Sequence, residues 1–167
     1  MRARIVLTLA ALLGGCSVLA PPPPPPPPPS AAQPAAANDA GAGIAALAAT
    51  LVGTPYHFGG ADEAGFDCSG LTLYVHEHFG ITIPRTAAEQ QRGAQSVPLE
   101  QLRPGDLVFF RIRARHVDHV GVYAGDGRFI HAPHAGVAVS AADLRRGYYA
   151  RHLVGAGRFW SVAAAPP

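Results

Sequence analysis

Apolar positions follow a helical rhythm in the first part of residues 44–161 and an alternating rhythm in the second. Ile44 to Val52 carries apolar residues at three- and four-residue intervals and ends at Gly53, which predicts a helix. Gly53 to Gly60 is punctuated by glycine and proline and reads as a loop. Asp67 to Phe79 predicts a second helix: Leu71, Tyr74, Val75 and His78 or Phe79 share one face, and Gly80 supplies the stop. Thr86 with Glu89 forms a capping box, so a short helix should run from Ala87 to about Arg92. After the turn Pro104-Gly105-Asp106, Leu107 to Phe110 is a wholly apolar strand. His119 to Ala124 alternates and predicts the next strand; Gly125-Asp126-Gly127 is a tight connection. Arg128 to Ala132 is the third strand, with Phe129 and His131 on one face and Ile130 on the other. A short strand is expected at Gly136 to Ser140, a brief helix capped by Ser140 at Ala141 to Arg146, and a last strand at Arg151 to Phe159. Helices followed by an antiparallel meander predict an α+β fold rather than a doubly wound α/β one.

The first 43 residues lack this patterning. Residues 1–15 read as an export signal: Arg2 and Arg4, then the apolar stretch Ile5 to Leu13, too short to span a bilayer. Leu13-Gly14-Gly15-Cys16 resembles the lipobox of bacterial lipoproteins. That resemblance implies cleavage before Cys16, lipidation of Cys16, and, with Ser17 following, sorting to the outer membrane of a Gram-negative cell, on its periplasmic face. The plainer alternative is an ordinary cleaved signal. Pro21 to Pro29 has no N–H donors and favours polyproline II, a stiff spacer of roughly 28 Å. Residues 30–43 lack large apolar side chains and are expected to be flexible, so 16–43 reads as a lipidated tether. Residues 44–161 then form one folded domain, and 162–167 a tail.

Composition narrows the classes further. The net charge is +2, with 13 basic residues, all arginine, against 11 acidic ones. This is too little to indicate nucleic-acid binding. Two cysteines are too few for a disulfide framework.

The candidate chemistry centres on Asp67-Cys68-Ser69-Gly70. Cys68 falls in the first turn of a predicted helix, where free N–H groups and the helix dipole favour a thiolate. A base is then required. Of eight histidines, two lie on the predicted hairpin of the second and third strands, His119 and His131. With Asp126 as hinge, they become near neighbours across the ladder on one face. Imidazole suits the base role because its pKa lies near neutrality. A buried, inert cysteine is the alternative for Cys68.

Five segments in order carry a family resemblance: Gly53-Thr54-Pro55-Tyr56-His57-Phe58-Gly59-Gly60, Phe66-Asp67-Cys68-Ser69-Gly70-Leu71, Leu102 to Phe110, His119 to Gly125, and Phe129-Ile130-His131-Ala132. Together they resemble the NlpC/P60 cysteine peptidases, bacterial enzymes that cut peptidoglycan stem peptides. The resemblance implies a papain-like α+β fold with the nucleophile helix packed on a central antiparallel sheet. It implies Cys68 as nucleophile, His119 as general base and His131 as the residue that orients it. It places Tyr56 beside the nucleophile as an oxyanion donor, and Asp67 and Ser69 as flanking groups that contact substrate amines. No cofactor is implied. The partners implied are stem peptides and, through Cys16, a membrane; adaptor or regulator partners are left open.

Other readings compete with this one. The pairs His116/His119 and His131/His134, with Cys68, could be zinc ligands, but His-x-x-His on a strand turns the two rings to opposite faces. An inactive domain that docks on peptidoglycan and a related Cys-His amidase are the remaining rivals. Within the family, the layout of signal, tether and one domain resembles outer-membrane murein endopeptidases, which open D-Ala–diaminopimelate cross-links. Cleavage between D-glutamate and diaminopimelate is the alternative. His57, His116 and His134 have no assigned role.

Overall fold

In a computed structural model, residues 36–160 are described. The signal segment, Cys16, the proline run and the tail lie outside those residues. The chain order is α1 (Ala36–Thr50), β1 (Ala61–Asp62), β2 (Gly65–Phe66), α2 (Cys68–Glu77), α3 (Ala87–Gly93), β3 (Gln95–Val97), β4 (Leu107–Phe110), β5 (His119–Gly125), β6 (Arg128–His131), β7 (Ser140–Asp143), α4 (Gly147–Ala150) and β8 (Leu153–Arg158). A 3-10 turn at Leu99–Gln101 precedes β4. Six strands form one antiparallel sheet in the order β3-β8-β4-β5-β6-β7, and β1 with β2 makes a separate hairpin. This is the expected α+β frame.

The apolar run Leu107–Phe110 becomes a strand buried along its whole length, because it lies in the middle of the sheet. Alternation then sorts its side chains. Leu107 and Phe109 join Val120, Val122 and Ile130 on the face covered by α1 and α2. Val108 and Phe110 join Tyr123, Phe129 and Leu144 on the other face. The helix α2 is capped by the Asp67 side chain, which accepts from the Gly70 N–H at 2.6 Å. Gly80 ends it, with φ at 70°. The Gly80 and Ile81 N–H groups return to the Glu77 and His76 carbonyls, which satisfies the end of the helix. The capping box at Thr86 is present: the Thr86 hydroxyl lies 2.6 Å from Glu89 Oε2 and accepts from the Glu89 N–H at 3.4 Å.

Three expectations are corrected. The first helix begins at Ala36, not Ile44, so the flexible reading of 30–43 fails from residue 36 onward. Gly41 is buried so closely against the Pro104 carbonyl and the Trp160 ring that a Cβ there would lie 2.5 Å from each. Small residues, poor in apolar area, are thus held by close approach rather than by large side chains. Second, residues 141–146 do not form a helix. Ser140–Asp143 is β7, paired with β6 through Ile130↔Ala141 and His131↔Ser140. An open sheet edge offers Ser-Ala-Ala-Asp a ladder of hydrogen bonds, and local propensity is too weak to oppose it. Third, Gly136–Ser140 contributes only a bridge between His134 and Val137, and buried Val139 exchanges backbone bonds with Gly53 and Thr54. The short strands β1, β2 and β3 and the helix α4 carry no signal in the hydrophobic pattern.

Asp106 explains the Pro-Gly-Asp turn. It is fully buried and held by Arg158 of β8 at 2.6 and 2.7 Å, and it accepts from the Arg103 N–H at 2.8 Å. The guanidinium also lies 4.4 Å from the Trp160 ring centroid.

Candidate active site

Three close approaches assemble the site. Gly70, in the first turn of α2, lies against the Gly60 carbonyl, where a Cβ would overlap it. The Asp67 N–H donates to the same carbonyl at 3.0 Å. This brings the loop carrying Tyr56 against the start of α2. On the sheet, a bulge between Tyr123 and Gly125 shifts the hairpin, so Val122 faces Ile130 and Gly121 falls opposite His131. His119 and His131 are therefore diagonal neighbours on one face, and His119 Nε2 lies 2.8 Å from His131 Nδ1. Gly121 leaves room for this: a Cβ there would meet Phe129 at 2.6 Å and His131 at 3.2 Å. The expected adjacency of the two imidazoles is present, with the bulge setting its register.

Cys68 is partly exposed and is the free cysteine among the described residues. The backbone N–H groups of Val120, Ser69 and Cys68 itself lie near the sulfur and favour its charged form. Burial is the larger influence, and the neighbouring Asp67 carboxylate adds to it, so the thiol is pushed up to about 11. The thiolate expected from the helix start is thus not the resting form, because desolvation outweighs the N–H groups at the helix end. Both imidazoles are held neutral as well. Burial lowers His119 to about 4, against the pull of the Asp118 carboxylate and with the Arg113 and His134 charges adding to it. Burial lowers His131 to about 3, with the charges of His119 and His134 adding to it. The resting site is a neutral thiol beside a neutral imidazole pair. If Nδ1 of His119 is to accept a proton, its own proton resides on Nε2 and is donated to Nδ1 of His131.

The cleft has two arms that share Tyr56, Cys68 and Asp118. The helix-side arm, about 490 Å³, is lined by Asp67, Ser69, Arg85 and Phe58. The sheet-side arm, about 160 Å³, is lined by His119, Arg113, His134 and Tyr149. The Tyr56 hydroxyl is kept protonated by burial and by the nearness of Cys68 and Asp67, so it stands as a donor beside the sulfur.

Asp67 and Ser69 reach the helix-side arm already engaged. Arg85 binds both Asp67 oxygens, Nη1 at 3.0 Å and Nη2 at 2.7 Å, and donates to Ser69 Oγ at 3.0 Å. Asp67 also accepts from the Gly59 and Gly70 N–H groups at 3.0 and 2.6 Å. Arg85 was not singled out in the sequence, because one arginine before a capping box carries no periodic signal. The same holds for Tyr149. It sits on α4 with its ring centroid 4.7 Å from that of His131 and 5.9 Å from that of His119. Phe58 stands 94% exposed at the rim. His57 packs its ring over Gly65, and His116 lines the helix-side arm. Among the described residues, no group of three or more His, Cys, Asp or Glu side chains is placed to hold a metal ion.

A thiol at a helix start, facing an imidazole pair on an antiparallel sheet, defines a thiol–imidazole protein of α+β type. The NlpC/P60 family model matches residues 53–158, and the chain belongs to that family. It is 46% identical over 112 residues to the murein DD-endopeptidase MepH of Escherichia coli (strain K12), covering 64% of this chain and 41% of MepH. To the bifunctional muramidase/DL-endopeptidase CwlT of Bacillus subtilis (strain 168) it is 42% identical over 109 residues, covering 64% and 32%. Among solved structures, an NlpC/P60 family protein from Bacillus cereus has a TM-score of 0.69 at 36% identity, covering 72% of this chain and 40% of that one. The NlpC/p60 domain of the peptidoglycan hydrolase SagA has a TM-score of 0.62 at 34% identity, covering 71% and 97%. The chain spans less than half the length of the curated relatives named.

Proposed function

We propose that the protein is a peptidoglycan hydrolase that cuts amide bonds of stem peptides through Cys68, His119 and His131. The observation that carries this is the 2.8 Å bond between buried His131 and His119, which lines the cleft that also holds Cys68. As Sγ attacks the amide carbon, its proton passes to Nδ1 of His119, and the growing imidazolium is stabilised by the bond from Nε2 to His131. Tyr56 Oη–H and the Cys68 N–H are the donors suited to the oxyanion. The imidazolium then protonates the leaving amine as the C–N bond breaks. Water attacks the thioester with His119 as base, releasing the carboxylate and restoring the thiol.

The bond we assign is the D-Ala–diaminopimelate cross-link, supported by 46% identity to a protein named a DD-endopeptidase. CwlT is named a DL-endopeptidase, so cleavage between D-glutamate and diaminopimelate is the other outcome to score. Purified cross-linked muropeptide dimers, analysed by mass spectrometry, distinguish the two. Wild-type protein should yield monomers, and Cys68→Ala should yield none while retaining its circular dichroism and melting temperature. Turnover by Cys68→Ala at the wild-type rate would refute the assignment. We also assign lipidation to Cys16 and the periplasmic face of the outer membrane as the location, supported by the Leu13-Gly14-Gly15-Cys16 segment. Palmitate labelling should be lost in Cys16→Ala.

A further inference from the structure

The two arms of the cleft can be assigned to the two sides of the scissile bond. His119 must reach the leaving nitrogen, and it lines the sheet-side arm but not the helix-side arm. The leaving residue therefore occupies the sheet-side arm. That arm carries Arg113, on the loop between β4 and β5. Among the described residues, the ion pairs are Arg85–Asp67 and Arg158–Asp106, so the Arg113 guanidinium has no carboxylate partner.

Asp118, the acidic group that lines the same arm, is already committed. The Asp118 carboxylate accepts from the N–H groups of Ile112 at 2.7 Å, Arg113 at 2.7 Å and Ala114 at 3.0 Å. These bonds hold the loop in one shape and turn the Asp118 oxygens to its backbone. His134 adds a further donor ring to the arm. A planar guanidinium held on an ordered loop at the edge of a reaction cleft is suited to binding a carboxylate in two-point fashion.

We infer that Arg113 selects leaving groups that carry a free carboxylate on the carbon bearing the leaving amine. This rests on the stem-peptide reading above and deepens it. In a D-Ala–diaminopimelate cross-link, that carbon bears a free carboxylate. In the D-glutamate–diaminopimelate bond of a tetrapeptide stem, the corresponding carboxyl is already an amide. Arg113 thus favours the first bond over the second by charge recognition on the leaving side.

The test uses two cross-linked dimers, one with the free carboxylate beside the leaving amine and one with that group as its primary amide. Wild-type protein should prefer the acid by about tenfold in kcat/KM. Arg113→Gln should bring that ratio close to one, and Arg113→Lys should restore part of it. Arg115→Gln is the control for bulk charge, since Arg115 is exposed on the same loop and lines neither arm; it should keep the ratio. The inference is overturned if the wild type shows no preference, if Arg113→Gln keeps it, or if Arg115→Gln loses it equally. Cleavage of neither dimer, or products cut only at the D-glutamate bond, would overturn the functional reading and the inference with it. Equal cleavage of both dimers at the cross-link would overturn the inference alone.

Discussion

The two walls of the cleft hold their polar groups in opposite ways. On the helix wall, Asp67, Ser69 and Arg85 spend their hydrogen bonds on one another and on the Gly59 and Gly70 N–H groups. On the sheet wall, His119 and His131 share one short bond and are otherwise packed among the rings of Phe110, Phe129 and Tyr149. The first wall is a closed network that holds shape. The second is a desolvated pair of titratable rings with proton capacity in reserve. In the proposed mechanism, stability and proton transfer are thus drawn from different sides of the same sulfur.

Removing the proposed base tests this division most strongly. His119→Ala should lower kcat by about three orders of magnitude, while His131→Ala costs less, about tenfold to a hundredfold. Single-turnover kinetics on muropeptide dimers measures both, and equal losses would mean that the pair does not divide into base and orienting residue. On the other wall, Arg85→Leu should cost about 2 kcal/mol of folding stability, because Asp67 loses its charge-assisted bonds. Urea denaturation reads this as a lower midpoint at unchanged slope. A midpoint that does not move would show that the helix wall holds its shape without Arg85.

The smallest effect is expected near neutrality. With His119 at about 4 and Cys68 at about 11, kcat/KM should change by less than about twofold between pH 6 and 8 and fall only near pH 4. A fall centred near 6.5 would mean that His119 titrates as in water. Stability follows the same sign. The folded values of His76, His119 and His131 lie below the unfolded value of about 6.5, so their contribution is complete above that pH. It is lost as the pH falls toward 4 and 3, where the unfolded chain has already taken up protons that the native state refuses.

Much of this fold is written in local pattern. The run Leu107–Phe110, the alternation from His119, the helical spacing after Asp67 and the box at Thr86 each act within a few residues and appear where their pattern puts them. The strand β7 and the extension of α1 to Ala36 are different. Ser140–Asp143 pairs because β6 has a free edge, and Gly41 seats because Trp160 and Pro104 lie over it. Pro104 and Trp160 are far from Gly41 in sequence, and the edge that β7 joins ends at His131, nine residues before Ser140.

The site divides along the same line. Cys68, His119 and His131 can be singled out from a predicted helix start and a predicted hairpin, signals that act over a few residues, and Tyr56 from the family resemblance. The loop held by Asp118 is closed within six residues, whereas Arg85 and Tyr149 enter only once distant segments meet. So do the protonation states: a helix start favours thiolate in isolation, yet the packed site keeps Cys68 a thiol and both histidines neutral. Residue identity sets which groups can exchange a proton. Burial sets which form each holds at rest, because the cost of desolvating a charge depends on everything packed around it.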